Sequence, residues 1–178
     1  MVQTTMTADA PVFKRARTLA ARGLDVRIFA LRGPGMDTVT VEKGYEIHRV
    51  ANLTTASNRQ LLAKAHQRQL RDASLARAVV NFEPHVVHCV DTPALAAGTR
   101  AARGMGLPYI YDALELYPDS LAQRPFQGSP PVQLYLRTLE RRLIPGAAAV
   151  ITVSEGHARV LGARFGVAPV IVANCPDL

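Results

Sequence analysis

The sequence reads as an α/β protein built on a doubly wound parallel sheet with helices on both faces. Three observations carry that reading. Short apolar runs alternate with longer segments of helical period, and no hairpin follows Val50. The run VVHCV at 86–90 is nearly continuous in apolar residues, as a strand covered on both faces requires. At 178 residues the chain can bury the core of one such domain and is too short for two full ones.

The elements follow in order. Asp9 is placed to cap a helix over 11–22, with Pro11 suited to its first turn and Val12, Phe13, Ala16, Leu19 and Ala20 at helical spacing; Gly23 ends it. DVRIFAL (25–31) is a strand, broken by Gly33, Pro34 and Gly35. Thr38 to Val50 reads as a hairpin turning near Lys43 and Gly44. Ser57 opens a helix reaching about Asn81, whose apolar arc collects Leu61, Leu62, Ala65, Ala73, Ala76, Val79 and Val80. After the 86–90 strand, Thr92 is expected to cap a helix that ends at Gly104 and Gly106. Strand 107–111, a loop over 116–128, a helix from Pro130 to about Leu143 capped by Ser129, and strand 147–153 come next. Ser154 caps a last helix ending near Gly166, and 169–172 is a short strand. Met1 to Ala8 is too polar for a buried strand, so the strand that normally precedes the first helix is expected to be missing. The chain stops straight after a strand with no closing helix, so one domain cut from something larger is expected.

Composition narrows the class. Hydrophobic content of 48% with 20% charged residues is ordinary for a globular domain. The apolar stretch 143–153 is interrupted by Pro145 and Gly146 and cannot span a bilayer. No secretory pattern opens the chain, and Cys89 and Cys175 have no metal or redox spacing, so a cytoplasmic location is expected. The net charge of +7 asks for an anionic partner or a solvated basic face. Arg59, Lys64, Arg68, Arg71 and Arg77 crowd one helix and Lys14, Arg15, Arg17 and Arg22 another. With 6% aromatic residues and no recognition motif, nucleic acid is not expected as a partner.

Chemistry is concentrated between Val86 and Asp119. Asp91 follows one strand, and Asp112 and Glu115 end the next. Ligands of parallel sheets sit outside the carboxyl ends of the strands, so both acidic positions face one crevice. Asp91 suits a ligand hydroxyl or a helix cap; Asp112 suits fixing the loop; Glu115 leans towards function because it lies in that loop. His88 alternates away from Asp91 and reads as a satisfied core histidine. The same alternation splits His85, His88, Cys89 and Asp91 between faces and argues against a metal site. Ser154 reads as a cap whose helix N-terminus could accept an anionic group. Tyr117 suits stacking on a ligand or packing.

These pieces resemble glycosyltransferase family 4. The matching segments are DAPVFKRARTLAARGLDV (9–26), VVHCVDTPAL (86–95), LPYIYDALELYPDS (107–120), LERRLIPGAAAVITVSEG (139–156) and FGVAPVIVANCPDL (165–178). The resemblance implies the Rossmann-like amino-terminal half of a two-domain GT-B fold, with that domain over 1–173 and 174–178 as the start of a hinge to a carboxyl-terminal donor-binding domain absent from this chain. Such halves hold the acceptor of a sugar transferred with retention from a nucleotide-sugar donor, typically in cell-surface glycan or glycolipid synthesis. It implies a substrate-binding set of Asp9, Asp91, Glu115, Tyr117, Ser154 and Asn174, with no catalytic group assigned. No cofactor is expected in this chain, the nucleotide-sugar donor belonging to the other half, and the isolated half is expected to be inactive. The implied partner is a sugar or lipid-linked acceptor, with peripheral contact of the basic helices with an anionic inner membrane face, at about 1 kcal/mol per cation near the surface.

The departures from the family are specific. Val90 stands where H-x-H-D has its second histidine, Leu114 where D-x-H-E has its histidine, and Pro11 where D-x-R-V has its arginine. A leucine can neither donate to a hydroxyl nor stabilise developing charge. A non-catalytic module binding a glycan, a lipid or a protein on the same fold is therefore the alternative expectation.

Overall fold

The computed structural model describes residues 10–52, 61–117, 119–121 and 130–175, and the chain divides into two compact units, Met1–Pro84 and His85–Leu178. Asp9, Ser57, Arg59 and Ser129, and any strand before the first helix, fall outside the described residues.

In the first unit, α1 (Ala10–Ala21), β1 (Val26–Arg32), β2 (Val39–Glu42), β3 (Tyr45–Ala51) and α2 (Leu61–Val80) follow one another. The sheet order is β1-β3-β2, with β1 parallel and β2 antiparallel to β3. Glu42 pairs with Tyr45 across the two-residue Lys43–Gly44 turn, as the hairpin reading predicts. Gly44 takes φ +89°, a conformation side-chain-bearing residues rarely adopt. A Cβ there would also stand 3.1 Å from Ala20 Cβ. Val12 and Ala16 of α1, Ile28 to Leu31 of β1 and Ile47 of β3 are buried.

The expected face of α2 needs correction. Asp72, Leu75, Ala76 and Val79 are the buried residues, an i, i+3, i+4, i+7 stripe, while Val80 is 38% exposed. Val80 lies a full 100° round the helix from Val79, so a wide arc drawn by hydrophobicity alone took in the wrong edge. The side chains of Leu61, Leu62 and Ala65 are outside the described residues.

The second unit carries β4 (Val87–Val90), α3 (Asp91–Gly104), β5 (Tyr109–Ala113), a short 3-10 turn (Asp119–Leu121), α4 (Pro130–Leu143), β6 (Ala149–Thr152), α5 (Glu155–Phe165) and β7 (Val170–Ile171). All four strands are parallel, in the order β4-β5-β6-β7. Consecutive strands are therefore neighbours, and their carboxyl ends lie side by side. Helix α3 buries Ala94, Leu95, Ala97, Gly98, Ala101 and Ala102, a face of mostly small side chains that lets the helix lie close to its neighbours. The Tyr109 hydroxyl donates to the Leu143 carbonyl at 2.5 Å, tying the start of β5 to the end of α4. Gly146 stands beside that bond, and a Cβ there would lie 2.9 Å from the Tyr109 oxygen, so a side chain would have to push that hydroxyl or its own backbone aside.

Candidate functional site

Asp91 is the first residue of α3 and has φ +56°, a left-handed conformation that costs a non-glycine residue roughly 1–2 kcal/mol. What holds it there is visible at its carboxylate. Oδ1 accepts the backbone N–H of Leu114 at 2.9 Å and that of Glu115 at 3.1 Å. The end of β4 is thereby tied to the loop leaving β5. Burial pushes the carboxyl from 3.8 up to about 7. The two amides pull the other way, and the charges of Glu115 and Asp112 add to the rise. Such a group both accepts and donates hydrogen bonds near neutrality, which suits a sugar hydroxyl.

The caps expected at this helix are not present. The N-cap residue of α3 is Val90, with no side-chain capping bond. Thr92 turns inward instead and is fully buried, donating to Glu140 Oε1 at 2.6 Å and sharing a 3.1 Å bond with the Tyr111 hydroxyl. Burial raises Glu140 from 4.5 to about 7, against the hydrogen bond from Thr92. The loop amides at 114 and 115 go to Asp91, while Asp112, fully buried, bonds His88 Nε2 through Oδ2 at 2.9 Å. His88 is thus satisfied, as its strand position predicts.

The other predicted residues distribute as follows. Glu115 joins the Asp91 cluster through its backbone and is half-buried. Ser154 follows β6, the next strand along, and caps α5 by accepting the His157 N–H at 3.3 Å. Tyr117 is half-buried in the turn after β5, and Asn174 is exposed beyond β7. Val90 is buried, so the position where the family places a histidine is core in this chain. Leu114 is half-buried and contributes its amide to Asp91.

Sequence reasoning missed Glu140. Its spacing to Leu136 and Leu143, both buried, puts it on the same stripe of the helix. Among the described residues no group of His, Cys, Asp or Glu is arranged to hold a metal ion. The Cys89 thiol is buried and pushed up to about 12, which makes it inert. On α2, Arg68 and Arg71 approach the buried Asp72 at 3.9 and 3.5 Å, so part of the expected basic face is turned to an internal carboxylate. No helix among the described residues is long and apolar enough to cross a membrane.

Residues 13–175 match the model of the glycosyl transferase 4-like domain. The chain belongs to that family. A sucrose-phosphate synthase from Thermosynechococcus elongatus has a similar structure, with a TM-score of 0.70 at 12% identity, over 92% of this chain and 41% of that one. A second structure of the synthase from that organism gives a TM-score of 0.62, also at 12% identity, over 93% of this chain and 84% of its own. The glycosyl transferase 4-like domain thus spans about two fifths of the length of the first synthase chain, and at such identity the likeness shows the fold: half of a GT-B glycosyltransferase. No curated protein matches in sequence.

Proposed function

We propose that this glycosyl transferase 4-like domain is the acceptor-holding half of a retaining glycosyltransferase that uses a nucleotide-sugar donor. One observation carries the reading. Asp91, with its carboxyl near pH 7, is fixed by two loop amides where adjacent parallel strands end. Both amides go to Oδ1, and Oδ2 has no hydrogen-bond partner among the described residues. An incoming hydroxyl can give its proton to that oxygen and receive one from it. The donor and its diphosphate contacts belong to a second half, and the product belongs to glycan or glycolipid synthesis.

Saturation-transfer NMR of the chain against a panel of mono- and disaccharides tests the acceptor role. One sugar class should saturate at millimolar concentration, and Asp91→Asn should abolish its signal while the chain still melts cooperatively. The reading fails if no sugar saturates or if the variant binds as well as the parent.

Val90 and Leu114 favour a second reading, a sugar-binding module without catalysis. The loss of both imidazoles removes the groups that would donate beside the reacting sugar. In a protein carrying both halves, Leu114→His should then leave transfer at background, whereas an intact cleft would gain activity.

A further inference from the structure

A pocket of about 250 Å³ opens in the second unit, lined by Asp119, Arg137, Glu140, Arg141, Arg164 and Phe165. Asp91, Leu114 and Glu115 are not among its lining residues. Three guanidinium groups meet there in a space slightly smaller than a site for a drug-sized ligand. The Asp119 carboxylate stands among them. Its Oδ2 lies 2.5 Å from Arg164 Nη2 and its Oδ1 3.8 Å from Arg137 Nη2. Arg141 has no hydrogen bond or ion pair among the described residues.

That arrangement is a carboxylate held where a larger oxyanion would fit. Guanidinium forks match the planar edges of carboxylate and phosphate alike, and a phosphate dianion brings more charge and more acceptor oxygens than one carboxylate. We propose that this pocket binds a phosphate monoester, whose dianion displaces Asp119 from between Arg164 and Arg137.

The internal pair is easily displaced. The side chains of Asp119 and Arg164 are 44% and 41% exposed, and exposed ion pairs hold weakly because water and salt screen them. Asp119 sits on a three-residue 3-10 turn rather than in a long helix, so it can leave without unravelling an element. Glu140, at the inner wall, is engaged by the Thr92 hydroxyl, and its raised pKa limits the negative charge it presents. Phe165 supplies an apolar wall for the organic part of the ester.

The inference does not depend on the sugar-acceptor reading, because phosphate binding without any sugar tests it. The chain is titrated by calorimetry with inorganic phosphate and with a phosphorylated hexose, ionic strength being held with chloride. Both should saturate at millimolar concentration. Arg164→Gln should weaken binding about tenfold through the loss of one charge-assisted contact. Asp119→Asn should tighten it several-fold, since it removes the internal competitor. A second arm pellets the chain with phosphatidylcholine vesicles, with and without phosphatidic acid. Saturation only in solution assigns a small phosphorylated metabolite; phosphatidic-acid-dependent pelleting lost in Arg164→Gln assigns a lipid monoester. The proposal is overturned if phosphate behaves as chloride does, or if Asp119→Asn binds no better than the parent. Should Arg164→Gln fail to fold, the Asp119→Asn result decides alone.

Discussion

Each unit contains a carboxylate–histidine pair. In the first, His48 Nε2 lies 2.7 Å from Glu46 Oε2, and Arg27 reaches the same oxygen at 3.0 Å. In the second, His88 Nε2 lies 2.9 Å from Asp112 Oδ2. The shorter contact is at the surface, with side chains 30% and 37% exposed, whereas Asp112 is fully buried. Distance therefore ranks the pairs one way and desolvation the other. A surface carboxylate that loses its partner is received by water; a buried one is left in a medium that penalises it. The contrast extends to the units. Among the described residues, Thr92, Thr99, Asp112, Glu140 and Thr152 are buried in the second, against Asp72 in the first. Polar groups that cost most to mispair are gathered in the unit whose strand ends carry the Asp91 cluster.

The contrast can be broken most directly at Asp112. There, His88→Ala should lower the unfolding free energy by ~3 kcal/mol, because it takes a hydrogen-bond partner from the fully buried Asp112 carboxylate. Urea denaturation measures this, and a loss below about 1 kcal/mol would show that burial is not what distinguishes the pairs.

The pH dependence comes next. Asp91 and Glu140 both have folded-state values raised to about 7, from 3.8 and 4.5. The native state binds more protons than the unfolded chain between those limits. Their stabilising contribution is therefore complete below about pH 4 and declines as pH rises to about 7, by up to ~1.4 kcal/mol per pH unit for each group. Asp91→Asn and Glu140→Gln should each flatten this part of the denaturation profile. A profile rising between pH 5 and pH 7, with both variants parallel to the parent, would contradict the assignment.

The left-handed residues sharpen the comparison at smaller scale. Glu83, in the first unit, has φ +52°, and Asp91 has φ +56°. Glu83 follows α2 at a position where glycine is favoured, so Glu83→Gly should stabilise the fold by up to about 1 kcal/mol. Asp91→Gly relieves the same backbone strain but deprives two amides of their acceptor, and should destabilise. Equal gains at both positions in thermal melts would mean that the carboxylate does not hold the loop. The smallest effect is expected at Glu46. The His48 hydrogen bond, aided by Arg27, holds its carboxyl below the ordinary value, yet the site is open to solvent. Glu46→Ala should leave the denaturation midpoint where it is, and a clear shift would place that pair alongside Asp112.

What could be read from the sequence divides by the reach of the interaction. Ser154 was legible because its partner, the His157 amide, is three residues away and the capping geometry is local. The Lys43–Gly44 turn was legible for the same reason. Thr92 was misread as a cap because the side chain that claims it, Glu140, is 48 residues distant. Asp91 was placed at the carboxyl end of a strand by the strand pattern, but its bonds to amides 23 and 24 residues ahead depend on the pairing of β4 with β5. On α2 the failure was of another kind. The i, i+4 stripe through Leu75 and Val79 was in the sequence, and Asp72 within it masked the pattern.

The Asp91 clasp also has a consequence in time. One oxygen atom serves two amides, and the acid that owns it titrates in the middle of the biological pH range. Protonation weakens that oxygen as an acceptor, so the two amides gain freedom together as the solution turns acidic. The loop beyond β5 is thus fastened by a knot whose tightness follows proton activity, and a guest hydroxyl that exchanges a proton with Asp91 would alter the breathing of residues 114 and 115.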